Sequence, residues 1–356
     1  MEKHEVFMER CLELARLGAG FVAPNPMVGS VLVHTNRVIG EGYHQRYGQA
    51  HAEVNCISDA AIRFAAVNNS MENFEELLHS STLYVSLEPC AHFGKTPPCA
   101  DLVISKKIPR VVIGCRDPFK EVDGKGIEKL LAAGIVVEPG VLEQACQHLN
   151  KRFFTFHAKK RPYIILKWAQ SADGKIAGKS NSRVFITNEI TNRLVHKWRS
   201  EEAAIMVGTN TALADDPSLT NRLWSGNNPV RVVLDIDLRL PVSLVLFDKS
   251  VRTIVFNRLK HEDIENLVYF RINCQEPIAQ QVCNALYLLN IQSVLIEGGA
   301  RLIQSFINEN LWDEARLITN ECLIIGEGIP APELGNGICK HSDKIFTDTI
   351  SFFNQV

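Results

Sequence analysis

Cys90 and Cys99 bracket the stretch "PCAHFGKTPPC", with eight residues between them, and "HAEVN" lies upstream with His51 and Glu53. Cysteine and histidine are zinc donors. A catalytic zinc site takes three protein ligands and leaves the fourth position to water. His51, Cys90 and Cys99 supply the three, whereas magnesium or calcium would call for oxygen ligands. Pro97 and Pro98 predict a helix that opens at Cys99, and a helix N-terminus favours the thiolate that binds metal. Glu53 is left as a carboxylate near the metal-bound water, whose pKa zinc can bring to about 7, and is the candidate proton carrier. His-x-Glu alone says little, because a helix start with an exposed acid reads the same way; its conjunction with the two cysteines carries the weight. Residues two apart on an ideal helix stand about 200° apart. His51 and Glu53 therefore converge only if His51 stands at the very start of its helix.

A second set of residues lies in "ILKWAQSADGKIA", "VGTNTALADDPSLTNR" and "VLIEGGARLI". Gly298 and Gly299 follow an apolar strand pattern and open a helical one. Such a turn lets the main chain come close to a dinucleotide phosphate at a helix N-terminus. No G-x-G-x-x-G occurs, so a Rossmann fingerprint is absent.

The elements that must position these residues alternate in type. "MVGSVLV" and "RVIGEGYH" read as a strand pair, "AEVNCISDAAIRFAA" as a helix and "STLYVSL" as a buried strand. "CADLVISKK" follows as a short helix, "RVVIGC" as a strand, and "GKGIEKLLAAGIVVEPG" as a helix then a strand. Ahead of them "MEKHEVFMERCLELARLG" is helical, with Phe7, Cys11 and Leu14 on one face. The basic, aromatic "QHLNKRFFTFHAKKRP" breaks the alternation and reads as a linker. From Pro162 a second strand–helix series begins and runs to "EARLITN". Alternation of this kind argues for two α/β layered domains, residues 1–147 and 148–356.

Composition narrows the function classes. A chain of 356 residues is long enough for two cores. A formal net charge of −2 offers no global basic field for a long nucleic acid, though local basic groups could hold a small phosphorylated ligand. The ten cysteines scatter through apolar runs rather than forming a disulfide framework, which implies a reducing compartment. No apolar run approaches a membrane span and the N-terminus lacks a signal-type core, so the expectation is a cytoplasmic protein with no membrane partner.

The His-x-Glu then Pro-Cys pattern resembles the zinc-dependent cytidine deaminase superfamily, in which the second cysteine usually follows two residues after the first. The longer loop here, with "PNPMVG" at Pro24–Gly29 and "GEGYHQRYGQAHAEV", resembles the deaminase half of the bifunctional riboflavin-biosynthesis deaminase–reductases of the RibD type. The three C-terminal stretches, in order and spacing, resemble the reductase half of the same family. The resemblance thus covers nearly the whole chain. It implies an α/β fold class with an N-terminal cytidine-deaminase-like three-layer α/β/α domain and a C-terminal dihydrofolate-reductase-like α/β domain.

It also implies chemistry. Zinc and NADPH are the cofactors. Asn25, His92 and Lys95 bind the deaminase substrate: an amide for a pyrimidine edge, a ring nitrogen, and a point charge for a phosphate. Ala169, Phe185, Thr211, Asp215, Ile236, Gly299, Ala300 and Arg301 line the cofactor. Lys167, Arg183, Arg199, Leu219, Arg222 and Glu297 line the reductase substrate, with Arg199 and Arg222 suited to fork its 5′-phosphate and Lys167 to reach its ribose. Two stretches depart from the family. It commonly has Ser and Trp where "RVFIT" has Arg183 and Phe185, and Ser or Thr where this chain has Ile236. Phe keeps an aromatic wall; Ile cannot replace a hydroxyl.

The implied reactions are hydrolytic deamination of 2,5-diamino-6-ribosylamino-4(3H)-pyrimidinone 5′-phosphate and reduction of the ribosyl group to ribityl. The partners are small phosphorylated pyrimidines rather than nucleic acid, with a homo-oligomer left open. Two rivals stand beside this reading. One is a deaminase whose reductase half serves only binding or oligomerisation, motivated by the two departures. The other is a nucleic-acid editing protein, which the missing basic stripe counts against.

Overall fold

The computed structural model describes residues 3–93, 97–179 and 184–355. The chain forms two compact units, Met1–Lys159 and Lys160–Val356. The first unit runs α1 (Lys3–Arg16), β1 (Gly29–His34), β2 (Arg37–Tyr43), α2 (Ala52–Asn68), α3 (Phe74–Leu78), β3 (Thr82–Leu87), α4 (Cys99–Ser105), β4 (Arg110–Cys115), α5 (Lys125–Ala132), β5 (Val136–Pro139), α6 (Glu143–Leu149) and α7 (Lys151–Lys159). Its five strands lie in the order β2-β1-β3-β4-β5. β2-β1-β3 are antiparallel and β3-β4-β5 parallel.

Successive strand residues point to opposite faces, and the apolar runs exploit this. Leu32, Leu83, Val85, Val111 and Ile113 pack with Cys56, Ile57 and Ala60 of α2, Ala100 and Val103 of α4, and Leu130 of α5. Val31, Val33, Tyr84 and Val112 pack on the other face with Phe7, Met8, Cys11 and Leu12 of α1 and with Cys146 of α6. That is the expected three-layer α/β/α arrangement, and the N-terminal helix buries the expected face.

One expectation is corrected. The basic aromatic stretch is not a bare linker but helical, in α6 and α7. Phe153 and Phe156, one turn apart, are the buried positions of α7. Asn150, between the helices, donates from Nδ2 to the Met27 carbonyl and accepts the Met27 N–H, both at 2.8 Å. The first unit consequently extends to Lys159, past the boundary at 147/148 that the charge pattern suggested.

The second unit runs β6 (Tyr163–Ser171), β7 (Lys175–Gly178), α8 (Glu189–Glu201), β8 (Ala204–Gly208), α9 (Thr209–Asp215), β9 (Val230–Leu234), β10 (Thr253–Asn257), β11 (Glu262–Ile264), β12 (Leu267–Arg271), α10 (Ile278–Leu288), β13 (Ser293–Gly298), α11 (Ala300–Asn308), β14 (Glu314–Asn320), β15 (Gly328–Pro330), β16 (Gly337–Ile345) and β17 (Asp348–Gln355). Ten strands form one sheet, ordered β11-β12-β10-β9-β8-β13-β6-β14-β17-β16. The stretch from β12 to β14 in that order is parallel, and antiparallel strands flank it on both sides. Ile164, Leu166, Val294 and Ile296 pack against α10 and α11. Tyr163, Ile165 and Leu295 pack on the opposite face with Val195 and Trp198 of α8. In open parallel sheets ligands bind beyond the carboxyl ends of the strands. Here those ends carry Lys167–Ser171 of β6, Glu297–Gly298 of β13 and Gly208 of β8.

Candidate active sites

The first constellation forms where two helix starts meet one strand end. His51 is the N-cap of α2, with φ −74° and ψ 168°, so its backbone is still extended. This is the geometry that lets His51 and Glu53 turn toward one point. Cys90 follows β3 by three residues and Cys99 begins α4. His51 Nδ1 lies 3.6 Å from Cys90 Sγ and 3.3 Å from Cys99 Sγ. All three donor atoms fall within 4.8 Å of one another. A tetrahedral zinc with bonds of about 2.0–2.3 Å sets its donors roughly 3.5–3.8 Å apart. Donor types and separations therefore both fit zinc.

The electrostatics agree. The Cys99 main-chain N–H donates to Cys90 Sγ at 3.2 Å. Hydrogen bonding from Cys99, with His51 adding to it, lowers the Cys90 thiol to about 4, the thiolate that a metal takes. Glu53 is 3% exposed, and burial pushes its carboxyl up from the usual range. A carboxyl so raised exchanges protons more readily near neutrality.

The second constellation lies at the ends of β6 and β13. Glu297 accepts from Arg199 through both oxygens, Nε–Oε1 at 2.8 Å and Nη2–Oε2 at 2.6 Å. Lys167 Nζ stands 4.0 Å from the same Glu297 Oε2. Burial opposes ionisation of Glu297, but Arg199 and then Lys167 outweigh it and hold the carboxyl at about 2. Burial lowers the Lys167 ammonium below the ordinary lysine value, partly offset by Glu297. Arg199 is thus no open phosphate fork: its second face donates from Nη1 to the Thr220 carbonyl at 3.4 Å. Arg222 is the exposed arginine of the pair, donating from Nη1 to Thr220 Oγ1 at 3.0 Å.

Beside this cluster Gly299 caps α11 with φ +84°, a conformation that favours glycine. A Cβ on Gly298 would meet Thr211 Cγ2 at 2.7 Å, so the strand end sits close against α9. Amides in the first turn of α11 have no intrahelical acceptor, and Ala300 and Arg301 are its first two residues. A dinucleotide phosphate fits such a turn.

Residues 1–115 match the family described as the cytidine and deoxycytidylate deaminase zinc-binding region, and residues 162–338 match the RibD C-terminal domain. The riboflavin biosynthesis protein RibD of Aquifex aeolicus (strain VF5) is 37% identical over 349 residues, which span 95% of this chain and 92% of that protein. The chain belongs to the RibD family. RibD of Bacillus amyloliquefaciens is 37% identical over 348 residues, 95% and 90% of the two chains. The crystal structure of a diaminohydroxyphosphoribosylaminopyrimidine deaminase/5-amino-6-(5-phosphoribosylamino)uracil reductase from Thermotoga maritima aligns with a TM-score of 0.87 at 34% identity, covering 99% of each chain. Acinetobacter baumannii RibD gives 0.87 at 30%, covering 100% of this chain and 99% of its own. Like its RibD relatives, the chain is a bifunctional deaminase and reductase of riboflavin biosynthesis, with the cytidine-deaminase-like and dihydrofolate-reductase-like folds expected of them. A zinc-binding deaminase domain and a RibD reductase domain imply zinc and a nicotinamide cofactor. A reductase half kept only for binding is not favoured.

Among the other RibD-type positions, Asn25 donates from Nδ2 to His44 Nε2 at 3.1 Å. His92 Nδ1 is buried with no partner among the described residues. Lys95 and Arg183 lie outside the described residues. Ala169 is on β6, Thr211 within α9 and Asp215 at its exposed end. Phe185 is 79% exposed. Leu219 is buried with φ +48°. Ile236 lies just past β9, where its carbonyl accepts the Arg258 N–H at 3.0 Å.

Two residues of the first site escaped sequence reasoning. His44 is buried, accepts from Asn25, and has Nδ1 3.0 Å from the Ala50 carbonyl. That pairing assigns the proton to Nδ1 and leaves Nε2 as the acceptor that orients the Asn25 amide. Glu88 accepts main-chain N–H groups from Asp117, Gly124, Gly126 and Ile127 at 2.9–3.2 Å. It ties the start of α5 to the turn that carries Cys90. The only signal was an acid at the end of an apolar strand.

The described helices include none long and apolar enough to cross a membrane.

Proposed function

We propose that the first unit deaminates 2,5-diamino-6-ribosylamino-4(3H)-pyrimidinone 5′-phosphate and that the second reduces the ribosyl side chain of the product with NADPH. His51, Cys90 and Cys99 hold zinc, which when bound supplies the Lewis acidity that makes a water acidic near neutral pH. Glu53 takes a proton from the attacking water and delivers it to the departing amine. Asn25, its amide set by His44, reads the pyrimidine edge, and His92 offers Nδ1, which has no partner among the described residues, to the substrate. Lys95 answers the phosphate.

In the second unit NADPH, when bound, supplies the hydride to the anomeric carbon. Lys167 gives a proton to the ribose ring oxygen as the C1′–O bond opens, which leaves an imine-like acceptor at that carbon. Glu297 holds the charge of Lys167 and Arg199, and Arg222 takes the substrate phosphate. Thr211 and the Gly299–Arg301 turn receive the cofactor phosphates, with Ala169, Phe185, Asp215 and Ile236 along its length. Leu219 and Arg183 complete the substrate side.

The observation that carries this reading is that each constellation sits in its own unit with its own core. The test is incubation with the pyrimidine substrate, with and without NADPH, followed by mass analysis. Exchange of amine for oxygen should appear in both, and addition of two hydrogens only with NADPH. Hydrogen addition without prior deamination, or neither change, would overturn the proposed order.

A further inference from the structure

Arg199 and Arg222 come from different elements, and something must fix their mutual placement. Arg199 is on α8, held by its bidentate pair with Glu297. Arg222 is on the 218–222 segment between α9 and β9, which is irregular and exposed at its end. Leu219 within it has φ +48°, in the left-handed region where a branched side chain is strained. Such a conformation persists only where neighbours over-determine it. Arg231, 1% exposed, donates from Nε to the Ser218 carbonyl at 2.9 Å. Arg199 donates to the Thr220 carbonyl. The Leu219 side chain is buried among Ile205, Val207, Ala212 and Val233.

One further clamp acts on the residue that matters most. The main-chain N–H of Arg222 donates to His196 Nδ1 at 3.0 Å. His196 is 2% exposed and lies one helical turn before Arg199 on α8. An imidazole that accepts through Nδ1 is the neutral Nε2–H tautomer. Its charged neighbours are Arg199 of the same helix, Arg222 of the loop, Lys167 of β6 and Glu297 of β13. Burial, then the two arginines, lower the His196 pKa to about 4, so it accepts rather than carries charge across the physiological range.

We propose that His196 is a positioning residue of the reductase site, which locks the Arg222 backbone to helix α8 and so sets the spacing between Arg222 and the Arg199–Glu297 pair. The proposal rests on reading Arg222 as a ligand of the substrate phosphate. It separates His196 from a merely structural histidine, because the polar requirement is for one acceptor at one place. Asparagine carries its oxygen close to the Nδ1 position, whereas glutamine carries its polar group out toward Nε2.

The test compares His196→Asn, His196→Gln and His196→Phe with Arg222→Ala, using the full chain. The KM for the deaminated phosphoribosylamino substrate should rise roughly tenfold in the Gln and Phe variants, the scale set by leaving a partly buried amide unpaired. It should stay within about threefold of wild type in His196→Asn. The kcat should change little, and the KM for NADPH should not move in any of the three, which also reports that the unit is folded. Equal KM increases in the Asn and Gln variants would overturn the proposal, as a volume effect. So would an unchanged KM in His196→Gln beside a raised one in Arg222→Ala, and that result leaves the phosphate reading standing. A raised KM in His196→Gln with none in Arg222→Ala overturns both, since His196 would then act elsewhere.

Discussion

The two sites of this chain are assembled on opposite principles. The deaminase constellation gathers His51, Cys90 and Cys99, three residues of unusual donor chemistry, and brings their donor atoms together directly. The reductase constellation gathers Lys167, Arg199 and Glu297, residues of common type, and pairs them with one another before any ligand arrives. A coordination site is defined by what each side chain can do alone. An ion-pair site is defined by which side chains are already spent. Arg199 illustrates the difference: read alone it is a phosphate fork, but in the fold its fork belongs to Glu297.

The contrast breaks most sharply at the metal. Cys99→Ser should lose zinc and abolish ammonia release, because a hydroxyl does not replace a thiolate at a soft-donor site. The same variant should still oxidise NADPH when given the already deaminated substrate, since Cys99 belongs to the first unit alone. Metal analysis and the two separate assays check this. Loss of both activities in a variant still folded by circular dichroism would mean that the sites are coupled and the comparison void.

Glu53→Gln tests the same site with its ligands intact. Glutamine is nearly isosteric but cannot take up and pass on the proton. Deamination should fall by roughly two to four orders of magnitude, the worth of a positioned acid–base group, while zinc stays bound. A near wild-type rate would make Glu53 structural.

How legible each site was follows from the same contrast. The candidate metal donors were legible because two thiols and an imidazole in this conjunction, with Pro97 and Pro98 ahead of a helix, point to soft-metal chemistry. Strands such as "TLYVSL" and "RVVIGC" were legible because nearly every residue is buried. The β16 strand was not, because its residues from Ile338 to Lys344 are all exposed and show no alternation. The helix α7 was hidden by lysines around its two buried phenylalanines. His44 and His196 were invisible for a deeper reason. Each acts through a partner that only the fold brings near, the Asn25 amide for one and the Arg222 main chain for the other.

Glu297→Gln attacks the ion-pair site where the deaminase site has no counterpart. It leaves Arg199 and Lys167 buried without an anion, at side-chain exposures of 14% and 12%. Removing one partner of a buried pair costs about 3–5 kcal/mol. The reductase unit should unfold earlier in thermal denaturation and lose reduction, while the deamination rate at moderate temperature is retained. An unchanged melting profile would show that the three charges are solvated and the site is not built on pairing.

The smallest expected effect sharpens the comparison from the cofactor side. Ile236 stands where the resemblance to RibD-type chains implies a hydroxyl residue, and it packs partly against the apolar cluster of the second unit. Its main chain is already committed, with the carbonyl accepting from Arg258. Only the side chain differs in what it could offer NADPH. Ile236→Thr keeps a β-branched side chain at this turn position and adds one donor–acceptor group. A single neutral hydrogen bond contributes about 0.5–1.5 kcal/mol, so the KM for NADPH should fall roughly two- to tenfold. The lost methyl works against part of that gain, which favours the lower end. Deamination and the KM for the pyrimidine substrate should not change. If the KM for NADPH is unmoved while the variant melts like wild type, position 236 does not face the cofactor. The dinucleotide contacts would then be confined to the Thr211 and Gly299 side of the sheet.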